Sequence, residues 1–173
     1  RFGDYWRLGF PLEVLVVFGC DHGVRESHDP DFGGDFACDS ALTDGFPHVF
    51  ASQLPLSALS SFSTGWSCAK RSCQLIHRFE PDRVLIFAYT PIFITIATLL
   101  LRQSRVRLML RADGTDRAFV RSRLKHCLKD LLLRFWYRQF DAVFPIGSDS
   151  NDHFARLGVP PHRRYPVSYS VNT

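Results

Sequence analysis

The chain has 173 residues, of which 46% are hydrophobic and 22% charged, and its formal net charge is +4. This length suits one domain with a hydrophobic core, and the composition excludes an intrinsically disordered chain. A membrane-spanning helix needs about 20 apolar residues. The longest apolar run, residues 87–101, is shorter and contains Pro91, which excludes a spanning segment there.

The five cysteines form no C-x-x-C pair and lack the spacing of a zinc site. An odd and scattered set indicates reduced thiols, which are expected in a cytoplasmic protein. We therefore expect the cysteines to be small residues of the core.

The first half of the chain predicts one strand and one helix separated by a long loop. Residues 13–18 form a β-branched apolar run that stops at Gly19, as a buried strand does. Residues 19–48 are rich in glycine, aspartate and proline and predict a loop of a length typical of functional segments. Residues 66–79 predict a helix that ends before Pro81.

The second half alternates strands with helices. Strands are predicted at residues 83–88, 105–110 and 142–146. Helices are predicted at 91–103, at about 117–139, and from Gly147 to the stop at Gly158. This order predicts an α/β domain over residues 1–173, with a Rossmann-like, single parallel sheet and right-handed crossover helices.

Ligands of such sheets bind at the carboxyl ends of the strands, where helix N-termini also present unpaired N–H groups. The polar residues of this chain collect at those ends, whereas the strands themselves are apolar. We expect them to converge on one edge of the sheet. The candidate binding residues there are His22, Tyr89, Thr90, Arg111, Asp113, Gly147 and Ser148.

Asp113 is the candidate catalytic residue because it directly follows a buried strand, in the segment Arg111-Ala-Asp-Gly-Thr-Asp116. Its carboxylate suits orienting a sugar hydroxyl or accepting the proton of that hydroxyl. The alternative is that Asp113 only sets the turn, while Asp116 caps the following helix.

No metal site or bound cofactor is expected. The pair Asp29 and Asp31 lacks the context of a cation site, and the seven histidines show no ligand spacing. We expect the histidines, apart from His22, to lie on the surface; among them are His153 and His162.

The predicted helix at about 117–139 has an apolar stripe that should face the core. The stripe consists of Val120, Leu124, Cys127, Leu128, Leu131 and Phe135. Beside it lies a basic row, Arg121, Lys125 and Lys129. The row suits peripheral contact with anionic lipid or is a solvated face, whereas nucleic acid is not expected without interleaved aromatic residues.

Several segments occur in an order typical of one known family. They are Leu110-Arg-Ala-Asp-Gly114, Phe144-Pro-Ile-Gly-Ser148, Phe154-Ala-Arg-Leu-Gly-Val-Pro160 and Tyr165-Pro-Val-Ser-Tyr-Ser-Val-Asn172, with the loop His28-Asp-Pro-Asp-Phe-Gly33. Over about residues 12–172, the chain resembles the N-terminal domain of family 4 glycosyltransferases of the GT-B fold.

The resemblance implies the acceptor-binding half of a retaining enzyme that makes surface polysaccharide or a glycolipid. A second domain would bind the nucleotide-sugar donor, and the acceptor would be a glycan or a lipid-linked sugar at the inner face of a membrane. Asp113 would take the acceptor-side polar position, and Gly147 and Ser148 would lie on the cleft loop.

Two departures from the family pattern lead us to expect a fragment that does not transfer sugar alone. Residues 1–10 do not supply the family's first strand and glycine-rich loop, and the donor domain is missing after Thr173. The alternative function is a non-catalytic α/β module that contacts an acidic partner through its basic helix.

Overall fold

The computed structural model describes residues 12–21, 27–29, 34–36, 43, 45–114 and 123–168. These residues form an α/β fold with parallel strands in two small sheets and four α-helices, consistent with the predicted class. The chain divides into two compact units. The first unit is Arg1–Glu80 with Thr90–Ala97, and the second is Pro81–Tyr89 with Thr98–Thr173.

The first unit contains a two-stranded parallel sheet. β1 (Val16–Cys20) pairs with β4 (His48–Ser52), and Val17 lies opposite Val49. The strand predicted at residues 13–18 is therefore present with shifted bounds, but all its residues are half-buried instead of buried. The two faces of a strand are covered independently, so an apolar run alone does not place both of them in a core.

The segment 19–48, predicted as a loop, also contains a hairpin. β2 (Ser27–Asp29) and β3 (Gly34–Phe36) pair antiparallel, with His28 opposite Asp35. The loop prediction missed this hairpin, and no strand was predicted where β4 follows. Turn-forming residues separate the strands of a hairpin as readily as they form a loop, so composition alone did not distinguish the two.

Helix α1 (Phe62–Phe79) carries most of the buried core of the first unit. Its predicted bounds, 66–79, were one turn short, because the helix begins at the N-cap Ser61. Cys68 and Cys73 are buried on its inner face, as predicted for core cysteines. The exposed Cys127 contradicts that prediction.

Glycines let side chains of helix α2 (Ile92–Leu101) pack directly on the backbone within the first unit. A Cβ on Gly19 would overlap Cζ of Phe93, and a Cβ on Gly65 would lie 2.8 Å from Cγ2 of Ile92. Any larger residue at Gly19 would displace the Phe93 ring from β1.

The second unit contains a three-stranded parallel sheet in the order β5-β6-β7. β5 (Arg83–Ile86), β6 (Arg107–Ala112) and β7 (Ala142–Pro145) confirm the three predicted strands to within two residues. The described parallel strands form two separate hydrogen-bonded sheets, so the single sheet that we predicted is wrong. Alternation of strands and helices predicts parallel pairing but does not specify which strands are neighbours.

Two further helices follow β6 and β7. α3 (Arg123–Tyr137) confirms the described part of the helix predicted at 117–139, and α4 (Gly147–Arg156) confirms the short helix predicted after β7. Their inner residues pack with the two strands around Phe140 and Phe154, which are at most 1% exposed. None of the described helices is both long and apolar enough to cross a membrane.

The described residues of the apolar stripe predicted for α3 face solvent instead of the core. Leu128, Leu131 and Phe135 are between 57% and 64% exposed, and the helix buries Leu133, Trp136 and Tyr137 instead. Apolar residues occur on nearly every side of this helix, so their spacing does not select the face that packs. Val120 and the side chain of Leu124 lie outside the described residues.

Candidate functional site

The carboxyl ends of β5, β6 and β7 lie along one edge of the second unit's sheet because the strands are parallel. Asp113 follows β6, Gly147 and Ser148 follow β7, and Tyr89 lies beyond the end of β5. The structure thus brings these four predicted residues to the same edge. Thr90 belongs to the first unit, and His22 lies outside the described residues.

Two hydrogen bonds join the end of β6 to the start of α4. The backbone N–H of Ile146 and the hydroxyl of Ser150 both donate to the carbonyl oxygen of Ala112, at 3.1 Å and 3.0 Å. Ser150 is buried, which shields this junction from water. The junction holds Asp113, the next residue after Ala112, beside the first turn of α4.

Gly147 opens α4 with a φ of 79°, in the left-handed region that glycine adopts without strain. A Cβ there would meet nothing within 4 Å, so backbone conformation, rather than space, favours glycine. Gly147 and Ser148 are exposed. The start of α4 is therefore open to solvent, where its N–H groups favour an anion or a hydroxyl oxygen.

Arg111 and two aromatic residues occupy the β5 side of this edge. The guanidinium carbon of Arg111 lies 5.9 Å from the centroid of the Phe87 ring, within the range of a cation–π contact. Phe87 and Tyr89 are 57% and 43% exposed. Exposed aromatic rings beside a carboxylate suit a sugar, because a pyranose has an apolar C–H face and hydroxyl groups around its rim.

A buried histidine lies under the Asp113 turn. A Cβ on Gly114 would lie 3.1 Å from Cδ2 of His153, so the turn packs directly on the imidazole. Nε2 of His153 is 3.1 Å from the hydroxyl oxygen of Tyr137, and His153 is only 4% exposed. The imidazole and the phenol therefore form the floor beneath Gly114.

The burial of His153 contradicts the surface position that we predicted, whereas His162 is exposed as expected. The sequence does contain a pattern that predicts the burial of His153. Ser150, His153, Phe154 and Leu157 follow the spacing i, i+3, i+4, i+7, and all four are buried. The pattern was missed because serine and histidine are not counted as core residues.

Cys68 and Cys73 are poor candidates for nucleophiles. Burial raises the pKa of Cys73 from 9.0 to about 11 and also raises that of Cys68. Because the thiolate is the reactive form, a raised pKa keeps both groups protonated and unreactive near neutral pH.

The described part of the chain contains no group of three or more histidine, cysteine or acidic residues that could hold a metal ion. No protein-family model matches the sequence, and a search of curated proteins found no match either.

Proposed function

We propose that this chain binds the acceptor sugar of a glycosyltransferase, as the Rossmann-like N-terminal half of a GT-B enzyme. One observation carries the proposal. Asp113, Gly147 and Ser148 directly follow the ends of the neighbouring parallel strands β6 and β7, and two exposed aromatic residues, Phe87 and Tyr89, follow β5.

Each group has a defined role in this proposal. The Asp113 carboxylate accepts a hydrogen bond from an acceptor hydroxyl and, during transfer, accepts the proton of that hydroxyl. The exposed first turn of α4 begins at Gly147, whose N–H already donates to the carbonyl oxygen of Val167, and the N–H of Ser148 donates to a second oxygen of the sugar. Phe87 and Tyr89 pack against the apolar face of the sugar ring, and Arg111 supplies a positive charge beside them.

Transfer also requires a nucleotide-sugar donor. In the family that the sequence resembles, a second domain binds that donor and no metal is needed. We propose the same division of roles here, in the cytoplasm, with a glycan or lipid-linked acceptor.

Sugar binding by the 173-residue chain tests the proposal directly. Saturation-transfer NMR with a panel of mono- and disaccharides, in buffer without vesicles, should identify a bound sugar. A hydrogen bond to a charged acceptor contributes about 1.5–3 kcal/mol. Because Asp113→Asn removes that charge, the affinity for the sugar should fall about 10- to 100-fold. Asp82→Asn is the matched control, because Asp82 is an exposed carboxylate just before β5, at the opposite edge of the sheet.

A second pair of variants uses the two ends of β6. Arg111→Gln should weaken binding, whereas Arg107→Gln, at the start of the same strand, should not. Equal effects of Asp113→Asn and Asp82→Asn, or no binding to any sugar in the panel, would contradict the acceptor site. That result would leave the non-catalytic module as the better description of the chain.

A further inference from the structure

Helix α3 presents an apolar face to solvent. Its members follow the spacing i, i+3, i+4, i+7, which places them on one side of the helix. They are Leu128, Leu131, Leu132 and Phe135, with exposures between 57% and 64%. We refer to these four residues as the α3 apolar face. Four large apolar side chains on one side of a helix are a contiguous patch of the kind that marks an interaction surface.

A pocket lined by three arginines lies beside this face. Arg134 of α3 and Arg138, which directly follows α3, line it together with Arg163, and the segment from Leu157 to Pro160 forms its wall. We refer to it as the arginine pocket. Arg134 is three residues after Leu131, and Arg138 is three residues after Phe135, so both flank the α3 apolar face.

The charge of this region is strongly positive. The single acidic residue between Arg123 and Tyr137 is Asp130, and it accepts hydrogen bonds from both terminal nitrogens of Arg156, one of them at 3.1 Å. Among the described residues, no carboxylate forms an ion pair with the three arginines of the pocket. Their side chains are exposed, so an external anion can reach them.

We propose that α3 binds the surface of an anionic membrane. The α3 apolar face enters the boundary between headgroups and acyl chains, and the arginine pocket binds a lipid phosphate. Apolar residues along one side with flanking cations are typical of helices that lie in the membrane interface. Arginine suits phosphate because its planar fork donates two parallel hydrogen bonds.

Charge complementarity favours this occupant over a second copy of the chain. Two copies joined through the α3 apolar face would bring the flanking guanidinium groups together, and like charges oppose that contact. An anionic lipid surface attracts the same groups. The surface also differs from the basic row predicted from the sequence, since Lys129 of that row is half-buried. This inference does not depend on the proposed sugar site.

Vesicle flotation tests the proposal with the 173-residue chain. The chain should float with phosphatidylcholine vesicles that contain about 30% phosphatidylserine and should remain in the buffer with phosphatidylcholine alone. Leu131→Ser combined with Phe135→Ser should lower binding on the order of 100-fold, because two large apolar side chains no longer enter the interface. Leu56→Ser combined with Phe62→Ser is the matched control, since both residues are exposed in the first unit.

A second pair of variants tests the charge. Arg134→Gln combined with Arg138→Gln should lower binding roughly 25-fold, at about fivefold for each cation. Arg71→Gln combined with Arg78→Gln makes the same change in net charge at exposed sites of α1 and should have a much smaller effect. Because these four residues are exposed, the variants should keep the wild-type circular dichroism spectrum.

Three results would overturn the proposal. The first is equal binding by the apolar variant and its control. The second is an equal loss of binding in Arg134→Gln with Arg138→Gln and in the Arg71→Gln with Arg78→Gln control, which would separate the arginine pocket from the lipid contact. The third is a dimer in sedimentation that Leu131→Ser with Phe135→Ser dissociates while vesicle binding is unchanged, which would assign the face to a second copy.

Discussion

The two units bury different elements. In the second unit the sheet itself is the core, since Leu108, Leu110 and Val143 of β6 and β7 are at most 1% exposed. In the first unit every residue of β1 and β4 is half-buried, and the buried residues belong mainly to α1. A strand is fully buried only when other elements pack on both of its faces, whereas an amphipathic helix buries its apolar residues by packing on one side.

This difference matters for the candidate site. Asp113 follows β6, the central strand of the better-buried sheet, and a hydrogen bond from the buried Ser150 holds the junction with α4. Site residues on well-packed elements keep their geometry better than residues on loops. We therefore expect the candidate site to belong to the more stable of the two units, and the following four predictions test that comparison.

The largest effect should come from the core of the second unit. Phe154 is fully buried, and its ring centroid lies 4.7 Å from that of Tyr137. Phe154→Ala should lower the free energy of unfolding by about 3–5 kcal/mol. Phe50→Ala, on the half-buried β4, should cost about half as much. Urea unfolding, with hydrogen exchange as the probe in each unit, measures the loss of unfolding free energy in both variants. Equal losses in the two variants would refute the comparison between the units.

The next effect is a pH dependence in the first unit. The neutral thiol of Cys73 is favoured by burial, and its pKa is raised to about 11. The stabilisation is thus complete below pH 9 and is lost as the pH rises toward 11, because the unfolded chain ionises first. The difference between the Cys73 pKa of 9.0 in the unfolded chain and about 11 in the folded chain corresponds to about 2–3 kcal/mol of unfolding free energy.

Thermal unfolding at pH 8 and pH 10.5 measures this loss. Cys73→Ala should remove that part of the pH dependence, whereas Cys127→Ala, at an exposed cysteine, should leave it in place. The same pH dependence in Cys73→Ala and in the wild type would show that another group causes it.

A smaller effect concerns a carboxylate that completes the sheet of the second unit. Asp141 accepts a hydrogen bond from the backbone N–H of Leu108 at 2.9 Å, and Leu108 is fully buried. Asp141→Ala should cost about 1–3 kcal/mol of unfolding free energy, because this donor loses its partner. The ion pair of Arg102 with the same carboxylate is long, at 4.0 Å, and half exposed. Arg102→Ala should therefore lower the free energy of unfolding by less than about 1 kcal/mol. A larger loss in Arg102→Ala would reverse this assignment.

The smallest effect concerns the start of α1 in the first unit. The Ser61 hydroxyl caps the helix and lies 2.6 Å from the hydroxyl of Thr64, whereas α4 of the second unit has no side-chain cap. Ser61→Ala should lower stability by about 0.5–1 kcal/mol, measured as a shift of the urea midpoint. Ser63→Ala, an exposed change within the same helix, is the control, and an equal shift there would argue against the cap.

Much of the second unit was predictable from the sequence. Its strands are short apolar runs with turn or cap residues at their ends, and these local signals depend only on neighbouring residues. The same signals place Asp113, Gly147 and Ser148 after strands, so their positions at one edge of a parallel sheet follow from the order of elements. The roles of these residues stay predictions.

Three features were decided only by the tertiary structure. The pairing of β1 with β4 joins segments about thirty residues apart, and nothing local specifies that partner. The inner face of α3 was chosen by what packs against it, because apolar residues surround the helix. His153 is buried because the Gly114 turn and Tyr137 lie over it. Local sequence determines which elements form, whereas the choice among several apolar faces depends on contacts between residues far apart in the chain.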